Sequence, residues 1–328
     1  MRHHGISHKV RAGTKLRKLL REEQPIPTIW GGTAHHAQLA EVTGFKAFAI
    51  SGSNTSTHIL GMPDAGLLTM SELVENVRRI CRSVDIPVIV DCDTGYGNAV
   101  NVRRTVEEVI LAGAGALFIE DQVSPKRCGF VKGKEVIPVE EAAGKYRAAC
   151  ELRDEIDPDF VIIARSDSRG AFGGSVEEVI KRGRAYFEAG VDIFYAEALQ
   201  NREEIRQVRE AMPAGSTFMV LPFSIDPPLT RQEVTDLGIC ISSAFVAKVG
   251  SVAMYNFLRD FAKRGEDAWN EFTESSENHP MGGFGAFDLT GFPELTEIEN
   301  RYLPKDRLDK YEGTIGAYDP RNRPSLKP

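Results

Sequence analysis

Carboxylates recur in this chain at spacings that would gather them around one ion. Asp91 and Asp93 stand two apart in Asp91-Cys-Asp93-Thr-Gly95-Tyr-Gly97. On an extended segment both point to one side. Glu120-Asp121, Arg165-Ser-Asp167 and Glu197 each follow a short apolar run. Carboxylates massed together repel and raise one another's pKa values unless a cation sits among them. Oxygen donors without His or Cys favour a hard ion, Mg²⁺ or Mn²⁺. A second stretch, Lys126-Arg127-Cys128-Gly129-Phe130, carries a thiol beside two cations. Those cations are expected to favour thiolate and to make Cys128 a proton donor or acceptor near neutral pH. Gly129 and Gly133 suit a loop that closes over a substrate. Cys81, Cys150 and Cys240 read as buried filler. Cys92 lies between acids that disfavour its thiolate. His35 and His36 are adjacent and cannot face one another on a helix, so a surface or interface role is expected. His58 lies close enough to Ser51 in sequence to touch a ligand.

These residues need a frame that brings distant segments to one place. A unit recurs: an amphipathic helix, a Gly, a short apolar run, then polar residues. Gly44, Gly113, Gly190 and Gly238 sit where a helix needs a left-handed residue after its last turn. The runs that follow are 45–50, 116–119, 192–195 and 239–241, and four more fall at 27–30, 86–90, 160–164 and 217–221. Their continuous apolar character reads as parallel strands buried on both faces. Stripes such as Val102, Val106, Val109 and Ile110 supply the intervening helices. Eight strands alternating with helices predict an α/β fold, a (β/α)8 TIM-type barrel. A doubly wound sheet is the alternative, but no GxGxxG follows the first strand. In such a barrel chemistry gathers at the C-terminal strand ends, where the polar residues fall. After the last strand, 245–263 reads as a long helix. The expected division is a catalytic barrel over 1–275 and a C-terminal arm over 276–328.

Composition agrees with this frame. Of 328 residues, 42% are hydrophobic and 27% charged, ordinary for a soluble globular protein. With 40 Lys and Arg against 47 Asp and Glu, the net charge of −7 gives no general attraction to nucleic acid or anionic lipid. No apolar run approaches ~18 residues, so no membrane span is expected. Five scattered cysteines without CxxC, and an N-terminus without a signal-peptide pattern, point to a cytoplasmic protein with reduced thiols.

Taken together, Ser51-Gly52-Ser53, Gly61-Met-Pro-Asp64, Asp91-Cys-Asp93-Thr-Gly-Tyr-Gly97, Glu120-Asp-Gln122, Pro125-Lys-Arg-Cys-Gly129, Ala164-Arg-Ser-Asp167 and Glu197 resemble the isocitrate lyase/phosphoenolpyruvate mutase superfamily. The likeness is strongest to its methylisocitrate lyase-like branch. It implies Mg²⁺ at the strand mouths, with Asp93 closest to the metal and Asp91, Asp64 and Glu120 holding its waters. It implies that Ser51, Gly52, Ser53, Gly129 and Arg165 grip a 2-oxo or 2-hydroxy acid, supported by Glu197. Cys128 would be the general acid/base, and the assembly a homotetramer, a dimer of dimers with a swapped last helix. The implied activity is carbon–carbon cleavage of a malate- or methylisocitrate-like acid. The base for the substrate hydroxyl is left open between Tyr96 and a water on the ion. Oxaloacetate hydrolase or decarboxylase, phosphonomutase, and a non-catalytic relative are the alternatives.

Departures from the resemblance bear on the substrate. Phe130 replaces a His that usually follows Cys-Gly. Ala49 replaces an aromatic residue, Val220-Leu-Pro-Phe223 replaces a polar run, and Val246 replaces a carboxylate-gripping Arg. A distal carboxylate buried against Phe130, Phe223 and Val246 would be left unpaired, at a cost of several kcal/mol. A smaller or alkyl-substituted malate-type acid is expected in place of a tricarboxylate.

Overall fold

The computed structural model describes residues 10–323. Among them are eight strands: β1 Ile26–Gly31, β2 Ala47–Ile50, β3 Val88–Asp91, β4 Ala116–Glu120, β5 Val161–Ser166, β6 Ile193–Ala196, β7 Thr217–Met219 and β8 Ile241–Phe245. All pair in parallel, in the order β7-β6-β5-β4-β3-β2-β1-β8. A single bridge between Phe218 and Ile239, with Cys240 N–H donating to Phe218 O at 2.9 Å, brings the two edges together. The result is a nearly closed barrel flanked by helices, as expected.

The strands are apolar on both faces because both faces are covered. Ala47, Ala49, Ile89, Phe118, Val161, Ile163 and Met219 fill the barrel interior. Their neighbours Phe48, Ile50, Val88, Val90, Leu117, Ile162 and Phe194 pack outward against the helices. The helix Ala12–Glu22 sends Leu16 into the interior cluster. It lies against the residues that precede β4 and β5: a Cβ on Gly13 would stand 2.6 Å from Asp159 O, and one on Gly115 2.8 Å from Ala12 O. That closes the end of the barrel opposite the polar strand termini. Gly44, Gly113, Gly190 and Gly238 all have positive φ, from 65° to 98°, the conformation a helix terminus demands.

The strand ends differ from expectation in one place that matters. β8 runs from Ile241 to Phe245, past the 239–241 run read in the sequence, and the long helix begins at Val246, one residue later than expected, and ends at Arg264. Phe245 pairs in register with Trp30 of β1, so it belongs to the barrel wall.

The described residues up to Ala247 form one compact unit, and those from Lys248 onward form another. The second contains the helices Glu266–Ser275, Gly285–Thr290 and Phe292–Tyr302. Within it Asp288 accepts hydrogen bonds from Tyr318 Oη at 2.7 Å and from Arg323 Nη2 at 2.7 Å. Phe284, Phe287 and Phe292 stack about the Tyr318 ring at 5.3 to 5.7 Å.

Candidate active site

Each strand of β2 to β6 delivers a polar residue to the same mouth. β2 hands over to Ser51, whose hydroxyl caps the short helix Gly52–Thr55 and lies 2.9 Å from Ser53 Oγ. The N–H of Gly52 donates to Asp91 Oδ2 at 2.9 Å. A Cβ at Gly52 would stand 3.0 Å from that oxygen, so a glycine is needed for the approach. Asp91 Oδ1 accepts from Asp93 N–H at 3.2 Å. Asp93 has a φ of +48°, a left-handed conformation that costs a non-glycine residue energy. The turn that holds it is pinned by Lys145, which donates to Thr94 O, and by Thr105, which donates to Gly95 O at 3.2 Å.

Glu120 and Arg165 are register partners on β4 and β5. Their side chains meet at 3.3 Å. Arg165 is a centre of charge pairing. Its Nε and Nη2 grip Asp167 at 3.0 and 3.1 Å, its Nη2 lies 3.6 Å from Glu197, and its guanidinium sits over the Tyr195 ring at 5.2 Å. Tyr195 is its register partner on β6 and donates its hydroxyl to Glu197. Burial works against the charge on Arg165, but Asp167, Glu120 and Glu197 outweigh it and hold the group protonated. Asp167 is held in turn by Asp121, which accepts its N–H at 2.9 Å. Asp121 also accepts from Ser166, Arg182 and Tyr186.

The thiol loop closes over this cluster. Its stems pair through the bridge of Gln122 with Val136 and through Val123 N–H to Glu135 O at 2.9 Å. Gln122 secures the loop by bonding both the N–H and the C=O of Arg127, and also donates to Glu120. Cys128 N–H donates to Asp64 O at 3.1 Å. Gly129 lies so near that a Cβ there would stand 2.5 Å from Arg165 Nη2. Ser51, Ser53, Asp64, Asp91, Cys128, Gly129, Arg165 and Glu197 line one cavity, with Trp30, Phe130, Tyr195, Leu221 and Phe245. It holds about 20 Å³, near the space one water needs. The structure is therefore that of a closed site.

Two expectations are corrected. The cations beside Cys128 do not prevail, and its thiol is pushed up, not down. Burial raises the thiol to about 11, Asp64 adds to the rise, and Lys126 offsets only part of it. Lys126 is turned away to Asp64, 2.5 Å, and Asp93, 2.7 Å, and Arg127 is exposed. Val246 is not in the cavity wall; β8 extends to Phe245, which lines it instead. Its ring stacks with Trp30 at 5.8 Å, Phe223 at 5.0 Å and Phe130 at 6.4 Å. Cys92 behaves as expected: burial, then Asp91 and Asp93, push its thiol well up. His36 and His58 pack edge to face at 5.1 Å, away from the cavity lining. The Tyr96 hydroxyl is buried without a hydrogen-bond partner, and burial first, then Asp93, push its phenol well above the ordinary value.

Lys126 was read only as a neighbour of the thiol, and Lys134 and Trp30 went unread in the sequence. The indole Nε1 of Trp30 is buried without a hydrogen-bond partner, a spare donor in a residue of the cavity wall. Nothing in a strand reading 26–31 distinguishes it from packing.

The carboxylates suit a divalent ion. Asp91, Asp93 and Glu120 are all pushed up by burial, Asp93 to about 6. Asp93 Oδ1 and Glu120 Oε2 are buried and face cations, Lys126 at 2.7 Å and Arg165 at 3.3 Å. Among the described residues no three His, Cys, Asp or Glu side chains converge tightly enough to hold an ion directly. A site that takes one carboxylate directly and the others through water fits that arrangement.

A parallel barrel with buried acids, an arginine and a thiol gathered at one mouth has the form of an enzyme. The chain belongs to the phosphoenolpyruvate mutase/isocitrate lyase superfamily, whose members are divalent-metal-dependent lyases, mutases and hydrolases. The family model described as phosphoenolpyruvate phosphomutase matches residues 16–263. The chain is 36% identical to 2,3-dimethylmalate lyase of Eubacterium barkeri over 88% of its own length and 97% of the relative's. It is 39% identical to the chloroplastic carboxyvinyl-carboxyphosphonate phosphorylmutase of Arabidopsis thaliana, over 90% of this chain and 86% of that one. A crystal structure of phosphonopyruvate hydrolase in complex with oxalate and Mg²⁺ superposes with a TM-score of 0.78 at 30% identity, covering 90% of this chain and all of that one. No helix among the described residues is long and apolar enough to cross a membrane.

Proposed function

We propose that this enzyme is a Mg²⁺-dependent carbon–carbon lyase that cleaves an alkyl-substituted malate-type acid to a 2-oxo acid and a second carboxylic acid. The observation that carries this reading is the cavity itself. Cys128, Arg165 and Asp91 share its lining with the apolar side chains of Trp30, Phe130, Leu221 and Phe245, which supports this reading. Asp93 would hold the ion most closely, with Asp91, Asp64 and Glu120 holding its waters. Bound there, the ion supplies Lewis-acid polarisation of the 2-hydroxy acid.

The chain's own residues do the rest. Arg165, with the hydroxyls of Ser51 and Ser53 and the N–H of Gly129, binds the 2-hydroxy acid end, and Gly52 serves that grip by holding Asp91. Glu197 and Asp167 keep the guanidinium aimed. The hydroxyl proton leaves to a base, the C2–C3 bond breaks, and its electron pair moves onto C3 as an enolate-like carbanion. Cys128 then gives its Sγ proton to that carbon. A thiol raised to about 11 is protonated at neutral pH, the state this step consumes. The closed loop keeps water from the carbanion.

Apolar walls favour an alkyl group over a third carboxylate, which would lie there unpaired. Steady-state rates on 2,3-dimethylmalate and on methylisocitrate test this. A preference for the first is expected, and a preference for the second refutes the substrate assignment.

We infer also a cytoplasmic homotetramer, with residues 276–328 serving as an arm. The helix Val246–Arg264 supports assembly of copies, because Val249, Val252, Met254, Tyr255 and Leu258 are exposed on it. Light scattering after gel filtration tests the mass.

A further inference from the structure

Lys134 has no place in the chemistry above, yet it is buried where the thiol loop meets the charged cluster. Its side chain is 3% exposed. Its ammonium donates to Gly129 O, in the residue next to Cys128, and pairs with Asp167 Oδ1 at 3.3 Å. That same oxygen accepts from Arg165 Nη2 at 3.1 Å. The backbone of Lys134 is fixed independently: it bridges Ala171, and its C=O accepts Phe172 N–H at 3.1 Å. A stationary lysine thus reaches back across its own loop.

We propose that Lys134 is a positioning residue that latches the Cys128 loop shut and ties that closure to the carboxylate holding Arg165. The inference rests on the proposed role of Cys128. Three physical points support it. The Gly129 backbone stands so near Arg165 and Glu197 that a Cβ there would lie 2.5 and 3.0 Å from them, so a substrate gripped by Arg165 needs the loop to move. Opening breaks a charge-assisted hydrogen bond in a low-dielectric site, which is where such a bond counts most. An ammonium can aim donors at two acceptors in different directions, and the space is tight: a Cβ on Gly170 would stand 3.0 Å from Nζ. When the latch engages, the Gly129 backbone comes down on Arg165, and Cys128 is fixed beside it.

The test is alkylation of Cys128 by iodoacetamide, read by peptide mass spectrometry, beside steady-state kinetics on 2,3-dimethylmalate. Lys134→Met should raise the alkylation rate at Cys128 about tenfold, the shift expected when one charge-assisted bond to the closed state is lost. It should lower kcat far more than it changes KM. Lys134→Gln keeps a donor without the charge and serves if Lys134→Met does not fold; it should lie between. Unchanged alkylation in the folded variants overturns the latch, whatever happens to turnover. Faster alkylation with no turnover by the wild-type enzyme keeps the latch and removes the lyase reading.

Discussion

Lys126 Nζ lies 2.7 Å from Asp93 Oδ1, and the same ammonium reaches Asp64 at 2.5 Å. A lysine therefore stands where the proposed ion needs a carboxylate. Burial opposes its charge, but Glu120, Asp91, Asp93 and Asp64 together hold it protonated. The ion and the ammonium must share or exchange Asp93.

Asp93→Asn removes the closest proposed ligand. It should lower kcat/KM about a thousandfold or more, since the ion's polarisation is worth several kcal/mol. The wild-type melting temperature should rise with added Mg²⁺, and that of the variant should not. Thermal-shift titrations with MgCl₂ separate these outcomes.

The same carboxyl gives a pH dependence. Its folded value, about 6, lies above the ordinary aspartate range because of burial. An acid raised on folding binds its proton more tightly when folded, so ionising it costs stability as pH rises from about 4 to about 6. The stabilisation by Mg²⁺ should therefore be larger at about pH 7.5 than at about pH 5, where a proton competes with the ion. Equal shifts at both values would contradict the assignment.

Cys128→Ser should reduce lyase turnover by about a hundred- to ten-thousandfold, the range for loss of a general acid. The rise in melting temperature with added Mg²⁺ should persist. In the wild type, alkylation of Cys128 should climb with pH without levelling off below about pH 10, since the thiol titrates near 11. A plateau near neutrality would mean a thiolate.

Phe245→Ala opens the apolar wall. It should lower kcat/KM on 2,3-dimethylmalate by about ten- to a hundredfold through lost alkyl contact, and the loss should shrink on malate. Substrate-series kinetics check the split.

Asp121→Asn strikes the scaffold beneath Arg165. Asp121 accepts hydrogen bonds from Ser166, Tyr186, Arg182 and Asp167 N–H, all buried. Breaking that pairing should cost about 3–5 kcal/mol, which lowers the melting temperature by about 5 °C. Calorimetry measures it.

The barrel was legible because strands buried on both faces need continuous apolar runs, and because the helix-ending glycines at 44, 113, 190 and 238 mark where four of the eight runs begin. The acids at 91, 93, 120 and 197 and Arg165 were legible because they end those runs. What the sequence hid lies in side-chain direction. Lys126 stands two residues from Cys128, and spacing alone suggests that it tunes the thiol. The fold turns it toward Asp64 and Asp93. Lys134 reads as one of several surface cations until the loop folds back on it. Phe245 and Val246 differ by one residue, and only the register against Trp30 decides which of them faces the cavity.

The central claim is that a Mg²⁺-dependent cleavage ends with a proton from Cys128. Incubating 2,3-dimethylmalate with the wild-type enzyme and with Cys128→Ser, each with Mg²⁺ or EDTA, and following pyruvate and propionate by NMR, tests it most directly. Both products should form in equal amounts from the wild type with Mg²⁺ alone. Equal turnover by Cys128→Ser, or undiminished turnover in EDTA, would contradict the account.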